Sequence, residues 1–157
     1  MPVRTHLRDF EEANHLHDQA STRAGWYVAP TLTGGRILLA LEALVFGAFG
    51  ALYWVIPVQM AAKVGVTMTN PAGIVDVQGL YGGLEVGLAV FLAWCAIRDV
   101  RIGLAAGACA LGGIALSRFV AIAHFGLPDA GVTALVVLDL VGALLSVGFW
   151  WRYREKA

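Results

Sequence analysis

The sequence predicts an all-α, polytopic membrane protein: four transmembrane helices in an antiparallel bundle, with the N and C termini cytoplasmic. Three observations lead there. Apolar residues make up 59% of the 157 positions against 14% charged, and mean hydropathy is +0.72, a membrane protein's composition. Four apolar runs are each close to the ~20 residues that a helix needs to cross hydrocarbon. The Lys and Arg residues are concentrated in alternate segments between those runs.

Residues 1–36 form a polar tail expected on the cytoplasmic side. Within it, "THLRDFEEANHLHDQA" (5–20) is expected as a short surface helix, with Leu7 and Phe10 on an apolar face too thin to hold a membrane strongly. The tail lacks the arrangement of a secretory leader, so the spans themselves are expected to direct insertion. Glu12 and His15 make a single Glu-x-x-His pair and His15 and His17 a His-x-His; a di-iron bundle needs two such pairs pointing inward, so no metal site is read here.

The four-helix domain is expected over 37–151, with spans at 37–57, 79–97, 102–123 and 132–151 and a basic C-terminal tail at 152–157. These runs are too long and too uniformly apolar for barrel strands, and in lipid an open strand edge would leave backbone groups without partners. After the first span, "VQMAAKVGV" suits a short surface helix before a break at Asn70-Pro71. The turn "IRDVRI" is so short that the second and third spans must be antiparallel neighbours. Arg4, Arg8, Arg23, Arg36, Arg98, Arg101, Arg152, Arg154 and Lys156 lie on one side of the resulting topology, and only Lys63 on the other. That bias assigns the richer side to the cytoplasm. Trp26, Tyr27, Tyr53, Tyr153 and the tryptophans at 54, 150 and 151 fall where interfacial aromatic belts form. Cys95 and Cys109 lie in apolar runs and read as small buried residues.

Each span carries one deep ionisable residue: Glu42, Glu85, Arg118 and Asp139. A charge at such depth costs at least ~2.5–3.5 kcal/mol, and pairing is the cheapest remedy. At about 1.5 Å per residue, Glu85, Arg118 and Asp139 share one level in the outer half, whereas Glu42 lies more than ~10 Å deeper. Glu42 is therefore expected to be separate, reaching toward Arg98 or Arg101 near the cytoplasmic surface. In the second span Gln78, Tyr81 and Glu85 project from one face, while Gly79, Gly83 and Gly87 form a small-residue stripe on the other. Gly103 and Gly107 allow tight packing of the third span near its Arg118 face, and the fourth repeats the device with Asp139, Gly142, Ala143 and Ser146. The planar fork of Arg118 is expected to bind both Glu85 and Asp139, with Tyr81 and Gln78 filling remaining hydrogen bonds. Ser117 and His124 are secondary candidates; His124 reads more readily as a loop or interface residue than as a ligand.

The stretches "DVQGLYGGLEVGLAVF" and "SRFVAIAHFGLPD", with an acid in the last span, resemble the DUF4345 family of small four-helix membrane proteins, related to the DoxX-like group. The resemblance covers roughly 37–151. Its pattern falls on Asp76, Gln78, Tyr81-Gly82-Gly83, Ser117-Arg118 and Asp139, with Gln78 where an arginine is usual and Ser117 where a glycine is usual. The resemblance implies the four-helix scaffold and the importance of the polar cluster, and brings no reaction with it.

No phosphate loop, nucleophile motif, haem-ligand pair or zinc pattern is present, and the eleven basic and eleven acidic side chains cancel, so neither an enzyme class, a cofactor nor a nucleic-acid partner is expected. The leading expectation is an accessory or scaffold subunit of a larger complex in a bacterial inner membrane, its polar cluster fixing helix packing and its N-terminal tail and glycine face meeting other subunits or a second copy. The alternatives are a binder or carrier of a small lipophilic or protonated ligand at the cluster, and then a membrane enzyme using a carboxylate as acid or base.

Overall fold

The computed structural model describes residues 30–154, with side chains from residue 33 onward. The surface helix expected at 5–20, the tail residues Arg4, Arg8, Arg23, Trp26 and Tyr27, and Lys156 lie outside the described residues. All regular structure among the described residues is helical: α1 (Pro30–Val55), α2 (Pro57–Lys63), α3 (Pro71–Val77), a π-helical turn (Gln78–Gly83), α4 (Leu84–Arg98), α5 (Val100–Phe125) and α6 (Ala130–Arg154). Four stretches are long and apolar enough to cross a membrane: Thr33–Val55, Pro71–Arg98, Val100–Phe125 and Ala130–Arg154. α3, the π turn and α4 together make the second of these.

Helix ends follow local chemistry. Pro57 ends the first span and starts the short surface helix α2, since proline has no N–H to continue α1 but suits a first helical turn. Asn70-Pro71, read from sequence as a break, is instead a helix start that brings the second span in eight residues earlier than expected. The Asn70 side chain accepts from the Gly73 N–H at 2.8 Å, and Pro71 occupies the first turn. Asp99, the one residue between α4 and α5, accepts from the N–H groups of Arg101 and Ile102 at 3.1 Å each. Asp129 does the same for α6 through Gly131 and Val132. Gly126, at φ 89°, ends α5 in a conformation that glycine adopts without penalty.

The helices pack as an antiparallel bundle in which α5 and α6 form the most extensive pairing. A Cβ at Gly35 of α1 would stand 3.0 Å from both the Tyr153 hydroxyl of α6 and Val100 of α5. The start of α1, the start of α5 and the end of α6 therefore meet, and with the end of α4 beside α5 they carry Arg36, Arg98, Arg101, Arg152 and Arg154 to one end of the molecule, the Arg-rich end. Leu39, Leu92, Cys95 and Leu104 fill the core toward that end with no exposed surface. Leucines such as Leu44, Leu84, Leu116 and Leu144 point outward, as a lipid-facing bundle requires. Cys95 is buried as expected, whereas Cys109 is on the outside.

In lipid, helix association depends on close packing more than on hydrophobic expulsion, and small residues set how near two backbones come. At Gly50 of α1 an added Cβ would lie 2.9 Å from the Val86 nitrogen and 3.0 Å from the Gly82 carbonyl oxygen, backbone atoms that cannot step aside. Gly50→Ala is expected to lower stability by about 1–3 kcal/mol, read as a fall in the thermal unfolding midpoint in mild detergent. Gly113→Ala, where an added methyl meets nothing within 4 Å, is the matched control and should leave that midpoint unchanged or raise it. Gly103 and Gly107 are likewise contact points, the first against Cys95 and Leu39, the second against Glu42 and not near Arg118. At Gly79 and Gly87 nothing among the described residues beyond their own helix's backbone comes within 4 Å of an added Cβ, and at Gly83 only the Gln78 carbonyl does, so that face is open among the described residues.

Candidate functional site

The ionisable residues of the spans separate into two groups. Measured from the Arg-rich ends of their helices at about 1.5 Å per residue, Glu85, Arg118 and Asp139 lie roughly 20–27 Å along, at a common level in the far half of the bundle. Their helices deliver them differently. Asp139 lies on the buried face of α6 that also carries Val136, Ala143 and Ser146, one residue per turn or two. Arg118 reaches it from α5, donating through Nη1 to Asp139 Oδ2. The arginine side chain keeps 33% of its surface exposed against 13% for the aspartate, so the pair is seated in the bundle with its acid the more deeply buried partner.

Glu85 comes from the first turn of α4, immediately after the π turn. It lies within electrostatic reach of both Arg118 and Asp139. Its Oε2 is nevertheless buried without a hydrogen-bond partner. The guanidinium thus pairs with one acid and not with both, which differs from the arrangement expected of its fork. The π turn explains part of the difference. Three glycines in six residues permit the widened turn, and one extra residue in the helical circuit breaks the narrow wedge in which Gln78, Tyr81 and Glu85 were expected. Gln78 turns away from the cluster and donates through Nε2 to the Trp54 carbonyl at 2.9 Å, capping the end of α1. Tyr81 stacks on Tyr53 of α1, ring centroids 5.2 Å apart. The absence of a side chain at Gly82 leaves room for the Trp54 indole.

Tyr53 is the member of this group that the sequence assigned elsewhere. It is buried, and it lies within electrostatic reach of Glu85, Tyr81 and Arg118. A tyrosine next to a tryptophan at a span's end has the signature of an interfacial belt, and nothing local marks it as a neighbour of residue 85. Ser117 is exposed and donates to the Gly113 carbonyl of its own helix at 2.9 Å, and His124 is exposed beside Phe125. Neither belongs to the cluster.

Glu42 forms the second group and corrects an expectation. It is separate, but it does not reach the surface toward Arg98 or Arg101: it is 7% exposed, and the fully buried Ser146 hydroxyl donates to its Oε1 at 2.6 Å. Gly107 of α5 makes the space, since a Cβ there would overlap Glu42 Oε2. That oxygen is buried with no hydrogen-bond partner. The arginines lie at the helix ends, and a packed core of Leu39, Leu104 and Cys95 stands between, so a glutamate pointing inward stays inward.

Fold and site together define a small integral membrane protein, a four-helix bundle with a charged pair, an unsatisfied acid and stacked tyrosines at one level. A family model described as a domain of unknown function, DUF4345, matches residues 35–151, and this chain belongs to that family. No curated protein and no solved structure matches the chain.

Proposed function

We propose that this protein binds a small amphiphile at the cluster of Tyr53, Tyr81, Glu85, Arg118 and Asp139, in a bacterial inner membrane with its Arg-rich end and both termini in the cytoplasm. The observation that carries the reading is Glu85 Oε2, a buried carboxyl oxygen without a hydrogen-bond partner beside a half-buried ion pair. An orphaned polar atom at this depth is costly, and a ligand that supplies the missing partner offsets the cost. Leu80, Leu84, Leu116 and Val137, close in sequence to the cluster residues, are exposed on the lipid side of their helices, a setting for an apolar tail. The excess of Lys and Arg on one side supports the orientation.

Native mass spectrometry of the full chain, released from mild detergent, tests the binding. The expected result is a small-molecule adduct on the wild type that falls at least tenfold in Asp139→Asn while the protein remains folded. An adduct held equally by Asp139→Asn, or none on the wild type, overturns the reading.

A second reading, an accessory subunit of a larger membrane complex, is favoured by the open face at Gly79 and Gly87, to which another helix could approach closely. The same spectra decide it: a co-migrating protein of fixed stoichiometry supports a subunit, and the chain alone or with a copy of itself counts against one.

A further inference from the structure

The charge and hydrogen-bond inventory of the cluster says more about the polar end of the ligand, on the footing that the cluster is a binding site at all. Two carboxyl groups, Glu85 and Asp139, face one guanidinium, and Arg118 gives its hydrogen bond to Asp139. With Glu85 ionised the unfilled position is an acceptor, Oε2, and a ligand seated there brings a donor to it. Lys63 and His124, the other basic side chains at this end among the described residues, are both exposed and neither bonds Glu85. Beside the acid, the Tyr53 and Tyr81 rings stack at 5.2 Å, and Tyr53 lies within electrostatic reach of Glu85. An acid near the half-exposed Tyr81 ring is a setting that attracts an organic cation, through the carboxylate's charge and the ring's quadrupole together.

We propose that the ligand is a primary alkylammonium amphiphile, its ammonium group donating to Glu85 Oε2 beside the Tyr53–Tyr81 pair and its apolar chain lying along the lipid-facing side of α4. A primary ammonium fits because it carries three donors, enough for the orphaned oxygen and for other acceptors nearby. An anionic head would add a third negative group to a site that already has two acids for one base. Arg118 holds Asp139 and is not asked to bind the ligand.

The test uses the full chain in phosphatidylcholine nanodiscs, with dodecylamine and dodecanoate as probes of equal length and opposite charge, and tryptophan fluorescence as the readout. Dodecylamine should bind saturably and at least tenfold more tightly than dodecanoate. Glu85→Gln should weaken dodecylamine at least tenfold, and Tyr81→Leu about threefold or more, with thermal midpoints close to wild type. Nanodiscs containing phosphatidylethanolamine separate two sources of the same ammonium: competition with dodecylamine points to a lipid head group, and its absence to a free amine, each in keeping with the assignment. Glu85→Gln binding dodecylamine as tightly as wild type overturns the cationic assignment. Dodecanoate bound preferentially, and lost in Arg118→Gln, overturns the assignment while leaving an amphiphile site in place. Neither probe depending on cluster residues overturns both.

Discussion

Arg118→Leu is expected to lower stability by about 1–3 kcal/mol, less than removing one partner of a fully buried ion pair costs, because the Arg118 side chain is one-third exposed. The reason lies in what is left behind. Asp139 is on the buried face of α6 and receives its hydrogen bond from Arg118; Glu85, within reach of the same guanidinium, already has an oxygen without a donor. Deleting the cation leaves two acids in a poor solvent with no base between them. Arg118→Leu combined with Asp139→Leu should recover part of the loss, because the apolar pair removes the acid that Arg118 bonds and leaves only Glu85 without a base. The pairing, not the bulk of either side chain, is then the stabilising element. Thermal unfolding in mild detergent, followed by loss of the monodisperse peak on size exclusion, measures both variants. A single variant as stable as wild type, or a double variant no better than the single, would remove the ion pair from the account of the fold.

The four spans were legible because their signal is one-dimensional: each long apolar run must be a helix in lipid, whatever its neighbours do. The Arg118–Asp139 pair was legible for a related reason, since each charge at depth needs a partner and the residues share a level along antiparallel helices. Azimuth was harder to read. The face on which Gln78, Tyr81 and Glu85 project depends on an unbroken 3.6-residue period, and the π turn at Gln78–Gly83 breaks it. Tyr53 and Ser146 were hidden for the opposite reason. Each has an ordinary local explanation, as a belt aromatic and a small packing residue, and only the crossing of α1 with the π turn and with α6 gives them partners. Glu42 was misplaced because snorkelling treats a helix as though its neighbours yield. Gly107 and Ser146 instead provide the carboxyl with space and a donor inside the bundle.

Gly107→Ala should reveal that inner arrangement through its dependence on Glu42. A methyl at 107 occupies the volume of Glu42 Oε2, so the carboxyl must leave Ser146 or push α5 away from α1, at a cost of about 1–3 kcal/mol. The end of a glutamate is flexible in isolation, but here Glu42 is buried and its Oε1 is held by the fully buried Ser146 hydroxyl, which leaves it little room. Glu42→Ala removes the obstruction and the unsatisfied oxygen together, and the Ser146 hydroxyl can then turn to a carbonyl of its own helix. In that background Gly107→Ala should be nearly neutral, giving a coupling of about 0.5–3 kcal/mol between positions on two different helices. The four proteins of the cycle, compared by thermal unfolding in one detergent, supply the measurement. Equal losses at position 107 with and without the glutamate would show that the glycine serves backbone approach alone, and the carboxyl would then have no part in how α1, α5 and α6 meet.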